Sequence, residues 1–257
     1  MNTSKSESSE PAAAATTLHI PSRFSRNVHD VHKPIYTLVE FCAFLDSLLS
    51  STRNHKGKCR CIIIDEHIDG RSHKTVDLLR YVFNHVGKRI ALWGSLPCTG
   101  GCTWNYINGM TPEGKAKIEE HIILMTQLLK NFIWAARQVK KANGIICFEW
   151  PRKCTYWKRD DIQNMINELG LKPTHFDGCA FGLKSIRKGR EHMFLKKPWT
   201  VYSNSDEIHA ILSKYTCPGV TKHHLRDQCR GKNAKDSERY SDTFACCVHS
   251  ALSRSFG

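Results

Sequence analysis

Residues 90–104 read IALWGSLPCTGGCTW: an apolar run that breaks at Ser95, turns through Pro-Cys-Thr-Gly-Gly and closes on an aromatic. Its apolar residues are consecutive, not alternating, as in a strand covered on both faces of a parallel sheet. CRCIIID at 59–65 and GIICFEW at 144–150 share this habit. IYTLVEF at 35–41, PTHFDGCAF at 173–181 and EHMFLKKPW at 191–199 complete the expected strands. Helical patterns lie between them at 75–86, 114–142 and 159–169. The long one repeats apolar residues at Ile118, Ile122, Met125, Leu128, Leu129, Phe132, Ala135, Ala136 and Val139. Asn143-Gly144 and Gly170 are stop signals for two of these helices. Strands alternating with helices predict an α/β fold with a mostly parallel sheet and helices on both faces.

Outward from this core, residues 1–30 read as a disordered polar tail and 31–200 as the α/β domain. Residues 201–257 read as a basic extension ending in a helix from about 241. The net charge of +14 over 257 residues implies a polyanionic partner, nucleic acid before an anionic membrane surface. The competing explanation is a charge that only solubilises. No run approaches the roughly 18 apolar residues of a membrane span, and no secretory leader is visible. The twelve cysteines therefore read as reduced thiols in the nucleus or cytoplasm.

In parallel sheets ligands gather at the carboxyl ends of the strands, which sets Glu40, Asp65, Glu66, Cys98 and Glu149 on one rim. An acid ending the second strand accepts from ribose hydroxyls; a solvated turn is the alternative, and residues 40–50, EFCAFLDSLLS, hold no glycine to cradle a phosphate. Cys98 reads as a nucleophile, its pKa lowered by turn N–H groups and basic surroundings, with the glycines giving the loop freedom. A structural cysteine in a glycine turn remains the alternative. Glu149, between a buried strand and Trp-Pro, reads as a partly desolvated carboxyl raised towards the range of a proton donor. In FEWPRKCTYW and the residues after it, Trp150, Tyr156 and Trp157 interleave with Arg152, Lys153, Lys158 and Arg159. They suit stacking on bases and pairing with phosphates, or else form a core edge with solvated charges. Thiol and acid together suit attack on an electron-poor heterocycle that is protonated as the nucleophile adds.

LPCTGG, FEWP and FGLKSIRKGREHMFL, in that order, resemble motifs of the S-adenosylmethionine-dependent cytosine-C5 methyltransferases. The resemblance implies a Rossmann-like methyltransferase fold in which Cys98 adds to C6 of the base, Glu149 protonates N3 and Arg190 assists. It implies that Glu40, Phe41, Asp65 or Glu66, and Pro97 serve the cofactor. It also implies that a flipped base, DNA before RNA, meets Trp104, Lys184, Arg187 and Lys188. Departures are the glycine-free first loop, Glu-Trp-Pro in place of Glu-Asn-Val, and Lys188 and His192 where the family has Gln and a second Arg. A non-catalytic relative, a nucleic-acid-binding module of a mobile element, is the other reading. Amino-methylating enzymes are disfavoured, since Ser-Leu-Pro-Cys stands where they carry (Asp/Asn)-Pro-Pro-aromatic.

CPGVTKHHLRDQC at 217–229 brings Cys217, His223, His224 and Cys229 within a short loop. Thiolate and imidazole at such intervals suit tetrahedral zinc; a polar loop with incidental cysteines is the alternative.

Overall fold

The computed structural model describes residues 28–257 apart from 30, 32 and 223. Its strands are β1 (Val28–His29), β2 (Tyr36–Phe41), β3 (Cys59–Ile64), β4 (Ile90–Gly94), β5 (Ile145–Pro151), β6 (Lys172–Asp177), β7 (Phe194–Leu195), β8 (Pro198–Ser203) and β9 (Arg226–Asp227). The helices are α1 (Thr52–His55), α2 (His73–His85), α3 (Asn105–Asn108), α4 (Pro112–Lys141), α5 (Asp160–Leu169), α6 (Asp206–Leu212), α7 (Lys232–Asp236) and α8 (Asp242–Phe256).

Seven strands form one sheet in the order β1-β3-β2-β4-β5-β8-β6. β3, β2, β4 and β5 are parallel neighbours, while β8 runs antiparallel between β5 and β6. The fold is therefore α/β with a mostly parallel, mixed sheet. No helix among the described residues is long and apolar enough to cross a membrane.

Successive strand residues point to opposite faces, and the apolar runs fill both. Val39, Ile62, Leu92 and Phe148 pack with α2, α4 and α5. Leu38, Cys61, Trp93, Cys147 and Val201 pack with α6 and α8. Side-chain caps begin the long helices: Thr111 Oγ1 accepts from Gly114 N–H at 3.0 Å, and Ser241 Oγ from Phe244 N–H at 3.2 Å. Both expected stops hold, with Asn143 (φ 56°) and Gly170 (φ 69°) in the left-handed region.

Three expectations need correction. The strand expected at 191–199 is two strands. Lys196-Lys197 turn the chain after β7, which pairs with β9 in a separate small sheet, and β8 starts at Pro198. The strand expected at 173–181 ends at Asp177, where Gly178–Phe181 coil into a 3-10 turn. Residues 201–257 build on the same core as the rest: β8 carries the sheet across residue 200, and α8 supplies Phe244, Val248 and Leu252 to its second face. The tail expected over 1–30 lies outside the described residues except at Val28 and His29, which pair with β3.

Candidate functional site

The chain leaves β2 for β3 on one side and returns to β4 on the other. The loops after β2 and β4 therefore diverge and open a crevice, the usual ligand position in such sheets. Here it is a cleft of about 870 Å³, walled by residues 42–48, 64–71, 95–99 and 149–151 and closed by Lys197, Trp199 and 238–240. That volume suits a small molecule plus part of a second one.

Cys98 and Glu149 both line this cleft. Glu149 is buried. Its Oε2 accepts from the Tyr240 hydroxyl at 3.1 Å, and its Oε1 has no hydrogen-bond partner among the described residues. Burial pushes its carboxyl up to about 7, while the Lys197 charge and the Tyr240 hydrogen bond pull the other way. Tyr240 is fixed in turn: its oxygen accepts from Trp93 Nε1 at 2.9 Å and lies 2.6 Å from Ser95 Oγ. This relay from β4 to Glu149 depends on a residue 91 positions away in sequence.

The Cys98 thiol is not activated as the sequence implies. Burial, then the Glu149 charge, pushes it up to about 11, and Lys197 only partly offsets them. Nor do the glycines loosen its loop. A Cβ at Gly101 would sit 2.6 Å from Cys154 Sγ and 2.7 Å from the Tyr156 ring, and one at Gly100 would strike the Tyr156 hydroxyl. Both glycines permit close packing of the turn beneath Tyr156. Peptide-resolved iodoacetamide labelling is expected to find Cys98 slow at pH 7 and faster as pH approaches 11. Glu149→Gln, which removes the nearby negative charge, is expected to speed labelling at pH 8 to 9 by about 2- to 3-fold. Identical rates in the two proteins would contradict this coupling.

The acids of the opposite wall differ among themselves. Glu40 is fully buried; its Oε2 accepts from Ser47 Oγ at 2.7 Å and its Oε1 from Ser50 Oγ. Burial drives its carboxyl up to about 8 against those two hydrogen bonds. Asp65 Oδ1 accepts from the N–H groups of His67 and Ile68, both at 3.1 Å. Its buried Oδ2 has no partner among the described residues, so one carboxylate oxygen is left for a ligand. Glu66 points to solvent beside His67. Pro97 lines the cleft; Phe41 does not, being fully buried edge-on to Phe132. The loop after β2 reaches its left-handed turn without glycine, at Cys42 (φ 63°).

Arg190 lies elsewhere. It donates to Asp227 Oδ1 at 2.9 Å, as Arg187 does at 3.3 Å, and neither lines the cleft. Arg190 is thereby removed from the catalytic set. Lys184 sits over the Phe194 ring and Lys188 is exposed.

The aromatic platform expected at Trp150, Tyr156 and Trp157 is packed inward. Trp150 Nε1 donates to Leu96 O at 2.6 Å, and its ring meets Phe148, Tyr156 and Trp157. These rings join the core because the chain after β5 coils straight into a 3-10 turn against it. Arg152 and Lys158 are exposed around them, with Lys153; Arg152 spans to Asp177 at 3.6 Å. Exposed aromatics lie instead beyond the Cys98 turn, at Trp104 (62% exposed) and Tyr106 (82%), and on the cleft wall at Phe44 (43%). Tyr106, followed by exposed Ile107 and Met110, escaped the sequence reading because short surface helices carry no periodicity.

Of the four metal candidates, Cys217 and His224 meet, with 3.6 Å between Sγ and Nε2. Cys229 does not join them; its Sγ lies 3.4 Å from Ser237 Oγ, on the chain's way into α7. His223 falls outside the described residues. Cys179, read as part of a strand, completes the cluster. No protein-family model matches the chain, and no characterised protein resembles it closely enough to count as a relative.

Proposed function

We propose that this cleft belongs to a Rossmann-like methyltransferase that acts on cytosine in nucleic acid, DNA before RNA. Cys98 is its nucleophile and Glu149 its proton carrier. The observation that carries the reading is that this thiol and this carboxyl share one cleft at the split between β2 and β4.

The charge of the cleft supports the cofactor assignment. In a chain of net charge +14, the cleft wall carries Asp46, Asp65, Glu66, Asp69 and Glu238 against Arg71, Lys197 and Arg239. Burial raises Glu40 to about 8 and Glu149 to about 7 and takes much of their charge away near neutral pH. Such a wall suits a cationic small molecule better than a polyphosphate. The free Oδ2 of Asp65 fits the ribose hydroxyls of S-adenosylmethionine, with Pro97 and Glu66 beside it. When bound, that cofactor supplies an electrophilic methyl group.

The chain's own residues handle the base. Addition forms a bond from Cys98 Sγ to C6, moves the ring electrons towards N3 and requires a proton there. The thiol must lose one proton and N3 must gain one, so no net proton is consumed. A carboxyl with a pKa of about 7 beside a thiol at about 11 can carry that proton. Trp104 and Tyr106, exposed beyond the Cys98 turn, suit a base leaving its stack. Arg152, Lys153 and Lys158 suit the phosphates, with binding that weakens as salt rises.

A second reading is favoured by the resting state of Cys98. A thiol pushed up to about 11, chiefly by burial, rests protonated at neutral pH and suits a nucleic-acid-binding module that has kept the fold. Incubation with S-adenosylmethionine and 5-fluorocytosine-containing DNA or RNA separates the two. The methyltransferase reading expects a covalent adduct that survives denaturation and vanishes in Cys98→Ser. Nucleic-acid binding with no heat of cofactor binding by calorimetry and no adduct would overturn it.

A further inference from the structure

We propose that Cys179, Cys217 and His224 bind a thiophilic divalent cation of the zinc class, which fastens the loop after α6 to the carboxyl end of β6. Cys217 and His224 share the loop between α6 and β9, and Cys179 comes from the 3-10 turn after β6. The meeting of Cys179 with the other two therefore does not follow from local spacing.

Their ligand atoms all lie within 4.8 Å of one another. A tetrahedral zinc ion, with Zn–S about 2.3 Å and Zn–N about 2.0–2.1 Å, needs S···N near 3.5 Å and S···S near 3.8 Å. The 3.6 Å between Cys217 Sγ and His224 Nε2 matches the first of these edges. Two sulfurs and one imidazole select a borderline-soft ion over magnesium or calcium. As thiolates, the two cysteines neutralise its charge, with one proton released from each thiol that starts protonated.

Contacts around the cluster orient Cys217 and His224, as outer-shell groups do at metal centres. Cys217 N–H donates to Asp177 Oδ2 at 2.9 Å, and Arg226 donates to Cys217 Sγ at 2.7 Å. The His224 ring lies flat on Phe194, with centroids 4.3 Å apart and 12° between planes. Its backbone N–H bonds Thr221 O at 3.1 Å. Cys179 is buried and the other two half-buried, so an ion there keeps one coordination position for water, and a small chelator can reach it.

The test uses the full chain, grown with added zinc, desalted without chelator and assayed for metal by mass spectrometry. About one zinc per chain is expected. Cys217→Ala and His224→Ala are expected to lower that content more than ~10-fold, and Cys229→Ala to leave it unchanged. Where a variant fails to fold, cobalt(II) added to the chelator-stripped wild type gives the answer. Tetrahedral thiolate ligation produces strong sulfur-to-cobalt charge-transfer bands, which zinc then abolishes. A wild type that takes up neither metal, or zinc content equal in wild type and Cys217→Ala, would overturn the proposal.

Discussion

Glu40→Gln will make the protein more stable than the wild type at pH 9, by on the order of 4 kcal/mol, and will change it little near pH 4. The carboxyl is fully buried and titrates at about 8 when folded, against about 4.3 in an unfolded chain. Below the lower value both states carry the proton. Between the two, only the native state keeps it, so each pH unit of rise costs about 1.4 kcal/mol of stability. The loss is complete once pH passes the folded value. Glutamine has no proton to lose, and its amide can still meet Ser47 and Ser50, accepting from one hydroxyl and donating to the other. Glu149, raised to about 7, adds a similar slope that ends a unit earlier and persists in the variant. Denaturant titrations across pH 4 to 9 measure both profiles. Parallel curves for the two proteins would show that Glu40 ionises freely in the fold.

Phe244→Ala should cost about 3–5 kcal/mol, the usual loss for a large aromatic side chain in a tight core. The ring is fully buried. It stacks on Tyr240 at 4.6 Å and meets Phe181 at 5.1 Å, Phe176 at 5.5 Å, Trp93 at 5.7 Å and Trp199 at 6.0 Å. These partners come from β4, β6, β8, the turn after β6 and the segment just before α8, so the cost falls on the whole sheet. A single cooperative transition shifted to lower denaturant is therefore expected. A two-step melt, with residues 201–257 unfolding first, would mean that the C-terminal segment is a separate unit. The substitution also removes the floor beneath Tyr240, whose hydroxyl holds Glu149. Slackening that hydrogen bond should move the Glu149 carboxyl further up, visible as a later fall in the stability profile.

The strands from β2 to β5 are legible to within a residue or two, because doubly covered strands show as unbroken apolar runs closed by polar or glycine residues. From strand order alone, residues 98 and 149 fall on one rim. The contacts that tune them do not, since Tyr240 reaches Glu149 only through the packing of α8 on the sheet. Arg190 shows the opposite failure. The resemblance implies a place for it in the catalytic set, but Asp227, thirty-seven positions on, claims it. The glycines after Cys98 resist reading for another reason: a residue without Cβ serves freedom and close packing alike, and only the position of Tyr156 distinguishes them. Cys179 is hidden because a strand and a 3-10 turn share its short apolar neighbourhood.

The late strand β8, wedged antiparallel between two strands made well before it, bears on how the protein is born. A ribosome will have delivered β5 and β6 long before residue 203 emerges, and until then the two cannot complete the sheet. During that interval β5 offers an open row of amides and carbonyls, the kind of edge that recruits stray chains. Slow translation past residue 180, or a truncation before 198, should therefore lower soluble yield more sharply than equal changes nearer the amino terminus, and a holding chaperone should restore part of it.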